Sequence, residues 1–251
     1  MILYEYPFSE RIRTWLRLER LFDRFAKLQQ CEAARDHHFA LVTLFEILDV
    51  AGRPDLKSEI MRDLDKQKQQ LNSYRGNPAI AESMLDQTLG ELQQCFVQLE
   101  QASGKPGQVL ADNEFLTAIR SRISIPGGTC EFDLPAYHAW QHQPDAERQQ
   151  DLEQWSRGLQ PVANSVKLLL MLLRSTGQPQ KMTARKGQFQ QNLPQNRTFQ
   201  LLRLHLAPEV QAFPELSANR LIVSVRMMQR ESNGHLAPKN DDIDFQLTLC
   251  A

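Results

Sequence analysis

Features that mark secreted or membrane-spanning proteins are missing from this sequence. The four cysteines are widely spaced and form no CxxC pair, so we expect reduced, mostly buried thiols. The longest apolar run ends at Leu173, contains Lys167 and is too short to span a bilayer. The first residues lack the positive segment and the apolar segment of a signal peptide. These absences predict a cytoplasmic protein with no membrane partner.

Neither sign of charge dominates the chain. It has 29 Lys and Arg against 30 Asp and Glu, a formal net charge of -1. A dedicated nucleic-acid coat is usually strongly basic, so this balance argues against one. With 41% hydrophobic and 24% charged residues, the composition is typical of a soluble globular protein. Its 251 residues allow one large domain or two small ones.

Sequence motifs for catalysis and nucleotide binding are also missing. The chain has no GxGxxG, GxxxxGK[ST], GxSxG or HExxH pattern. Gly127 and Gly128 lie in a predicted turn without the neighbouring Gly and Lys that would cradle a phosphate. We therefore predict a protein that is not an enzyme.

One histidine pair has the spacing of a metal site. His138 and His142 are four residues apart, which on a helix lets two imidazoles share one ion. Further ligands would be needed, and the nearby candidates are Asp133 and Cys130. Trp140 between the two histidines is instead typical of an amphipathic packing segment. We predict no metal site and keep a metal-dependent hydrolase as an alternative.

Helical periodicity extends over most of residues 9–176 and is clearest in the first helix. Three- and four-residue steps place its apolar residues on one face, namely Trp15, Leu18, Phe22 and Phe25. The opposite face is basic and comprises Arg13, Arg17, Arg20, Arg24 and Lys27. Such a stripe is usually only a solvated surface, but its length and single sign make it a candidate for binding an acidic partner.

The later helices are predicted from apolar spacing and helix-stop residues. A second helix covers about 36–50, with four residues expected to face inward: Phe39, Val42, Phe45 and Leu48. Two long helices follow as an antiparallel pair, with Asn77 as N-cap and Pro78 as first helical residue of the second. Shorter helices fit 113–122, 144–157 and 161–174, and residues 103–107 mark a break between the groups.

After Gly177 the helical spacing gives way to the alternation of strands. Apolar residues alternate with polar ones in three segments, around 199–205, 221–226 and 243–249, separated by turn residues. The N-terminal residues 2–6 also alternate and are expected to join the same sheet. We expect three acids to open an exposed final strand rather than bind calcium, namely Asp241, Asp242 and Asp244. The fold class is therefore α+β, with a helical domain at 9–177 and an antiparallel β domain formed by 1–8 and 178–251.

Basic residues concentrate in the strand-rich part. Eight of them lie between residues 181 and 230, where only Glu209 and Glu215 are acidic: Lys181, Arg185, Lys186, Arg197, Arg203, Arg220, Arg226 and Arg230. This asymmetry would steer an anionic partner toward one face. Arginine also suits a peptide carboxylate, because its planar fork can donate two hydrogen bonds. The alternatives are a merely solvated basic sheet and a nucleic-acid-binding module.

Three stretches resemble the ZapD family of bacterial cell-division proteins. They are RTWLRLE at 13–19, SIPGG-x-C-x-FDLP at 124–135 continuing to His138, Trp140 and His142, and DFQL at 244–247 followed by Cys250. The second is the most specific, and the intervening elements follow in the same order along nearly the whole chain. The resemblance implies a cytoplasmic homodimer without a cofactor. It also implies recruitment to the division septum at mid-cell and bundling of FtsZ filaments.

The same resemblance implies which residues act. Arg226 matches an arginine of the family's FtsZ-tail pocket in the β domain, and Arg53 matches one from the helical domain. Arg220 lies near a second pocket arginine in an alignment shifted by two residues, and the basic Lys181 and Arg185 are assigned to the same surface. Residues matching a bundling surface are Arg17, Arg20 and His138, whereas a further basic position of the family is Glu114 here.

Overall fold

The computed structural model describes residues 1–102, 104 and 106–251. These divide into two compact units, Met1–Trp15 with Leu170–Ala251, and Leu16–Leu169. Antiparallel sheets make up most of the first unit, whereas the second is helical, which confirms the predicted α+β class. The domain limits 9–177, and 1–8 with 178–251, stay a prediction.

The helices follow one another from residue 10 to residue 175. In chain order they are α1 (Glu10–Gln29), α2 (Ala34–Ala51), α3 (Leu56–Asn72), α4 (Glu82–Gln101), α5 (Gln108–Ala111), α6 (Glu114–Arg122), α7 (Pro135–Gln141), α8 (Asp145–Ser156) and α9 (Gln160–Ser175). A short 3-10 turn, Arg157–Leu159, joins the last two. Of the break predicted at 103–107, residues 103 and 105 lie outside the described residues.

The amphipathic reading of α1 is confirmed, but one inward-facing residue predicted for α2 is wrong. Trp15, Leu18 and Phe25 are buried. In α2, however, Phe39 is 55% exposed. It lies seven residues, or about two turns, before Glu46, so both share the solvent side of the helix. The buried face of α2 centres instead on residues such as Leu41, Leu44 and Ile47.

Helices α3 and α4 pack as the predicted antiparallel pair. The Nζ of Lys57 donates to the Ala102 carbonyl at 2.6 Å near one end, and that of Lys68 donates to Gln93 Oε1 at 2.8 Å further along. Arg75 contacts Asp86 at 2.6 Å at the tip. These contacts bring early residues of α3 next to late residues of α4, which is the antiparallel arrangement.

The predicted N-cap of α4 is wrong, because Asn77 belongs to a turn that precedes the helix. Its side-chain oxygen accepts the N–H of Ala79 at 3.0 Å, and its carbonyl accepts the N–H of Ile80 at 3.0 Å. The turn begins after Gly76, whose φ of 77° suits glycine. The Glu82 carboxylate accepts the Gly76 N–H at 2.7 Å. Local side-chain bonds therefore delay the helix by several residues.

A buried arginine ties α8 to the chain around α2. The guanidinium of Arg148 donates to His37 Nδ1 at 2.9 Å and to the Glu32 carbonyl at 2.6 Å, and it also bonds the Gln143 carbonyl. Burial of the His37 ring lowers its pKa, and the Arg148 charge acts in the same direction. These contacts satisfy a charge that would otherwise be costly to bury.

The strands form two antiparallel sheets in the first unit. In chain order they are β1 (Ile2–Pro7), β2 (Gln180–Ala184), β3 (Gln188–Asn192), β4 (Leu201–Leu206), β5 (Phe213–Ala218), β6 (Ile222–Arg230), β7 (Leu236–Pro238) and β8 (Ile243–Cys250). Sheet A has the order β1-β4-β8-β2. Sheet B has the order β3-β6-β5, with β7 also paired to β6. The pairing of β1 with β4 confirms that the N-terminal strand joins the C-terminal ones.

The two sheets pack face to face as a sandwich. Alternate residues of β4, β8 and β6 supply one shared core, including Leu204, Phe245 and Val225. The rings of Phe189 on β3 and Phe245 on β8 meet edge to face across this core, with centroids 5.3 Å apart. Side chains on the other face of each sheet therefore point away from the sandwich core.

The expectation of an exposed final strand is wrong. β8 lies inside sheet A between β4 and β2, and its residues from Ile243 to Cys250 are mostly buried. Only its beginning, next to Asp242, is acidic and solvated. A strand that hydrogen-bonds to two neighbouring strands lies inside its sheet. The alternation of apolar and polar residues along one strand does not show whether that strand has one neighbour or two.

Candidate functional site

Arg226 lies on the outer face of sheet B. Along β6 the residues Val223, Val225 and Met227 point into the sandwich core, so Arg226 between them points outward. Its side chain is 60% exposed, and its nearest carboxylate oxygen, on Glu215, is 3.9 Å from a guanidinium nitrogen. This separation exceeds that of a hydrogen bond, so the guanidinium keeps its donors largely available to a ligand.

The surroundings of Arg226 on this face are polar. Gln188 on β3 and Glu215 on β5 are directly opposite it in the two flanking strands. The next outward row across the sheet consists of Gln190, Ser224 and Ser217. No aromatic or aliphatic side chain belongs to these two rows, so this part of the sheet surface is polar.

Arg220 lies at the tip of the β5–β6 hairpin and is exposed. The side chain of Asn219 shapes this tip by accepting the N–H groups of Leu221 and Ile222 at 2.8 and 3.0 Å. From the start of β6 to Arg226 there are four residue steps, roughly 13 Å of strand. The two arginines therefore lie at opposite ends of the polar strip rather than side by side.

Arg185 lies at the corner where β2 leads into β3, and its charge is already paired. Its guanidinium contacts Asp242 at 2.9 Å, and the same carboxylate accepts the Lys186 N–H at 2.8 Å. These two hydrogen bonds lower the pKa of Asp242. The backbone of Arg185 forms an isolated β-bridge with Gln188, and Gln188 pairs with Arg226 across β3 and β6. The backbone at this corner therefore lies close to the backbone of Arg226.

Lys181 is on the other sheet. It pairs with Gln246 of β8 in sheet A, and its neighbour Met182 packs against the sandwich core. Lys181 therefore points away from that core, on the opposite side of the sandwich from Arg226. The structure thus brings Arg226, Arg220 and Arg185 to sheet B and its corner, and it leaves Lys181 apart from them.

Arg53 follows the end of α2 in the helical unit. One of its guanidinium nitrogens lies 3.4 Å from the Asp55 carboxylate, and both side chains are about half exposed. An exposed pair of this kind contributes little free energy to folding.

The residues assigned to a bundling surface are all exposed. Arg17 and Arg20 project from α1, and neither forms an ion pair within the part of the chain that the structure describes. Their neighbours on the same stripe are engaged, since Arg13 contacts Glu10 at 3.0 Å and Arg24 contacts Glu46. Exposed His138 lies on α7.

The metal hypothesis gains no further ligand from the structure. The rings of His138 and His142 are 4.4 Å apart, and His142 Nδ1 lies 2.8 Å from the His138 carbonyl. Asp133 is bonded to Arg122 at 3.1 Å. Among residues 1–102, 104 and 106–251, no group of three or more His, Cys, Asp and Glu side chains could hold an ion.

The nucleic-acid alternative needs exposed aromatic rings beside the basic residues. Phe189 is instead packed in the sandwich core against Phe245. The guanidinium of Arg197 covers Phe199, 5.1 Å from the ring centroid. Neither ring offers the open face that base stacking requires.

Sequence reasoning missed that Asp242 neutralises Arg185, because 57 residues separate them and no local pattern links them. The sequence also shows Glu215 as one of two acids in the basic region, but it does not show that Glu215 lies opposite Arg226.

No helix within the described residues combines the length and apolar character needed to cross a bilayer. In the comparison with known families, the model for ZapD, a cell division protein, matches residues 16–226 of the 251-residue chain.

Proposed function

The chain belongs to the ZapD family of cell division proteins, and from this premise we propose that it binds the C-terminal tail of FtsZ and cross-links FtsZ filaments. The observation that carries the proposal is the exposed Arg226 on a flat polar strip of sheet B, with its nearest carboxylate beyond hydrogen-bond distance. An acidic tail carboxylate would receive two hydrogen bonds from this guanidinium. Arg220 adds positive charge at the other end of the strip, and Arg185 would contribute to tail binding once its pair with Asp242 opens.

Binding at one such site is expected to be weak. A flexible tail loses conformational freedom when it orders on the sheet, and this cost is subtracted from the contacts it makes. A homodimer carries two sites, and a filament presents many tails. Effective concentration then raises avidity by roughly 10²–10⁴-fold over a single site. Two sites on one dimer can hold two filaments, so cross-linking requires no catalysis and no cofactor.

Two further parts of the proposal concern other surfaces. Arg53 of the helical unit would contribute to tail binding after releasing Asp55. The exposed Arg17, Arg20 and His138 would contact the filaments themselves and favour bundling. The protein would act in the cytoplasm at the division septum, with no membrane or nucleic-acid partner.

Co-sedimentation with FtsZ filaments tests the proposal. The wild-type protein should pellet with full-length FtsZ and should fail to pellet with FtsZ lacking its tail. Arg226→Glu should lose pelleting because it places a carboxylate opposite an acidic tail. Arg35→Glu is the matched control, since Arg35 is an exposed arginine of the helical unit outside the proposed sites. Equal pelleting of both variants would remove the Arg226 assignment.

Tail binding and bundling are separable in this scheme. With a fluorescently labelled FtsZ tail peptide, Arg17→Glu and Arg20→Glu should bind as the wild type does but give less light scattering when mixed with filaments. A loss of peptide binding by these α1 variants would contradict the division into two surfaces.

A further inference from the structure

A cavity of about 500 Å³ lies within the helical unit, where the ends of several helices meet. Its walls come from the start of α3, the end of α4, α5 with the segment before it, the turn between α8 and α9, and the start of α9. Pockets that bind small molecules have volumes of roughly 300–1,000 Å³. The cavity therefore has the size of a small-molecule site.

The charged side chains that line the cavity are all of one sign. Lys57 at the start of α3 and Arg157 in the turn after α8 line it, and none of its described lining residues is an Asp or a Glu. The helical unit as a whole is acidic, because residues 16–169 contain 22 Asp and Glu against 17 Lys and Arg. The cavity is thus a local concentration of positive charge in an acidic unit, and such a concentration attracts an anion.

Both cations have hydrogen-bond donors to offer. The Nζ of Lys57 donates one hydrogen to the Ala102 carbonyl at 2.6 Å. An ammonium group has three donors, so two remain. Arg157 is exposed, and neither cation forms an ion pair within the described part of the chain. A carboxylate, sulfonate or phosphate group in the cavity could therefore be bound by charge-assisted hydrogen bonds.

Aromatic and aliphatic side chains form the rest of the lining. Leu110 and Val162 are buried and line the cavity together with Trp155. The Trp155 ring is held in place by two other rings, since its centroid lies 5.7 Å from that of Phe115 and 5.7 Å from that of Trp140. A wall of this kind suits a planar aromatic group, which can stack on the indole or meet its edge.

We propose that this cavity binds a small organic anion with an aromatic body. Its anionic group would pair with Lys57 and Arg157, and its rings would contact Trp155 and the aliphatic wall. The inference does not depend on the proposed function, because the lining includes none of the residues assigned to FtsZ-tail binding or to bundling.

Fluorescence titration with anilinonaphthalene sulfonate tests the site, because this dye joins an aromatic body to one negative charge. The wild type should bind it at one saturable site and should bind the neutral analogue phenylnaphthylamine at least about 10-fold more weakly. Affinity for the sulfonate dye should also fall as salt rises. Near-UV circular dichroism should show native packing, because this dye also binds partly unfolded protein.

Two variants each remove one of the cations. Lys57→Gln and Arg157→Gln should each raise the dissociation constant of the sulfonate dye roughly 10-fold and leave that of the neutral dye unchanged. Lys66→Gln and Arg62→Gln are the matched controls, since both residues are exposed cations of α3 that do not line the cavity. If loss of the Ala102 contact unfolds Lys57→Gln, the exposed Arg157 still provides the test.

The outcomes separate this inference from the tail-binding proposal. One saturable site that is weakened in the cavity variants but not in the controls supports the inference, whether or not the protein pellets with FtsZ. Binding that does not saturate, equal affinity for the two dyes, or equal affinity of Arg157→Gln and Arg62→Gln overturns it. Displacement of the dye by the FtsZ tail peptide would assign the cavity to tail binding and overturn it as well.

Discussion

Arg174 forms a two-pronged ion pair with the buried carboxylate of Glu5. Its Nε and one terminal nitrogen donate to the two Glu5 oxygens at 2.9 and 2.8 Å. Arg203 adds a third hydrogen bond at 3.1 Å. The Glu5 side chain is only 7% exposed, so these bonds form away from bulk water. These hydrogen bonds join β1, which carries Glu5, to the end of α9 through Arg174 and to the adjacent strand β4 through Arg203.

We expect Glu5→Gln to lower the free energy of unfolding by about 3 kcal/mol, because two largely buried arginines would lose their shared counter-charge. Urea unfolding followed by circular dichroism measures the loss. Glu10→Gln is the control, since the Glu10–Arg13 pair is mostly exposed and should contribute less than about 1 kcal/mol. Similar losses in the two variants would show that the Glu5 cluster is not a buried network in solution.

The stabilisation from Glu5 should depend on pH. Burial raises the pKa of this carboxyl, but the hydrogen bonds and charges of Arg174 and Arg203 outweigh burial and leave the pKa below its ordinary value. A folded-state pKa below the unfolded value, about 4.3, means that the stabilisation is complete above pH 5. It is lost as the pH falls through the folded-state pKa. The difference in unfolding free energy between wild type and Glu5→Gln should therefore be constant from pH 5 to 8 and shrink below about pH 4.

Glu215→Gln should strengthen binding of an acidic tail peptide. The Glu215 carboxylate lies 3.9 Å from the Arg226 guanidinium and competes with the ligand for it. An exposed pair contributes about 0.2–1 kcal/mol, which corresponds to roughly a 1.4- to 5-fold gain in affinity. Fluorescence anisotropy with a labelled FtsZ tail peptide measures the change, and the gain should diminish at high salt. Weaker binding by Glu215→Gln would indicate that the tail does not use Arg226.

Two glycine-to-alanine changes should have opposite effects on stability. Gly128→Ala forces a methyl group against the Arg122 carbonyl at 2.6 Å and should cost about 1–3 kcal/mol. Gly90→Ala lies within α4, where an added Cβ meets no atom within 4 Å, and should stabilise by about 0.5–1 kcal/mol. Thermal unfolding should show a lower melting temperature than the wild type for Gly128→Ala and a higher one for Gly90→Ala. A stabilised Gly128→Ala would show that the IPGG turn is not tight in solution.

Local patterns predicted much of the secondary structure because they act over a few residues. The three- and four-residue steps of Trp15, Leu18 and Phe25 identified the buried face of α1, and alternation identified most of β4, β6 and β8. The strands β2, β3, β5 and β7 were not predicted. β3 is rich in glutamine and β5 contains Pro214, so neither shows strong apolar alternation. The exposure of Phe39 was not predicted for a different reason. Periodicity identifies residues that share a face of a helix, but it does not show which face packs against the neighbouring elements.

The sequence by itself determined the α+β class, the order of the principal helices, the solvent-facing basic stripe of α1 and the membership of the N-terminal strand in the sheet. Only the tertiary structure decided that Arg226 has no carboxylate within hydrogen-bond distance, that Asp242 pairs with Arg185 and that Lys181 lies on the opposite side of the sandwich from Arg226. Such pairings join residues tens of positions apart, and their energies depend on distance and burial in space, which periodicity along the chain does not encode.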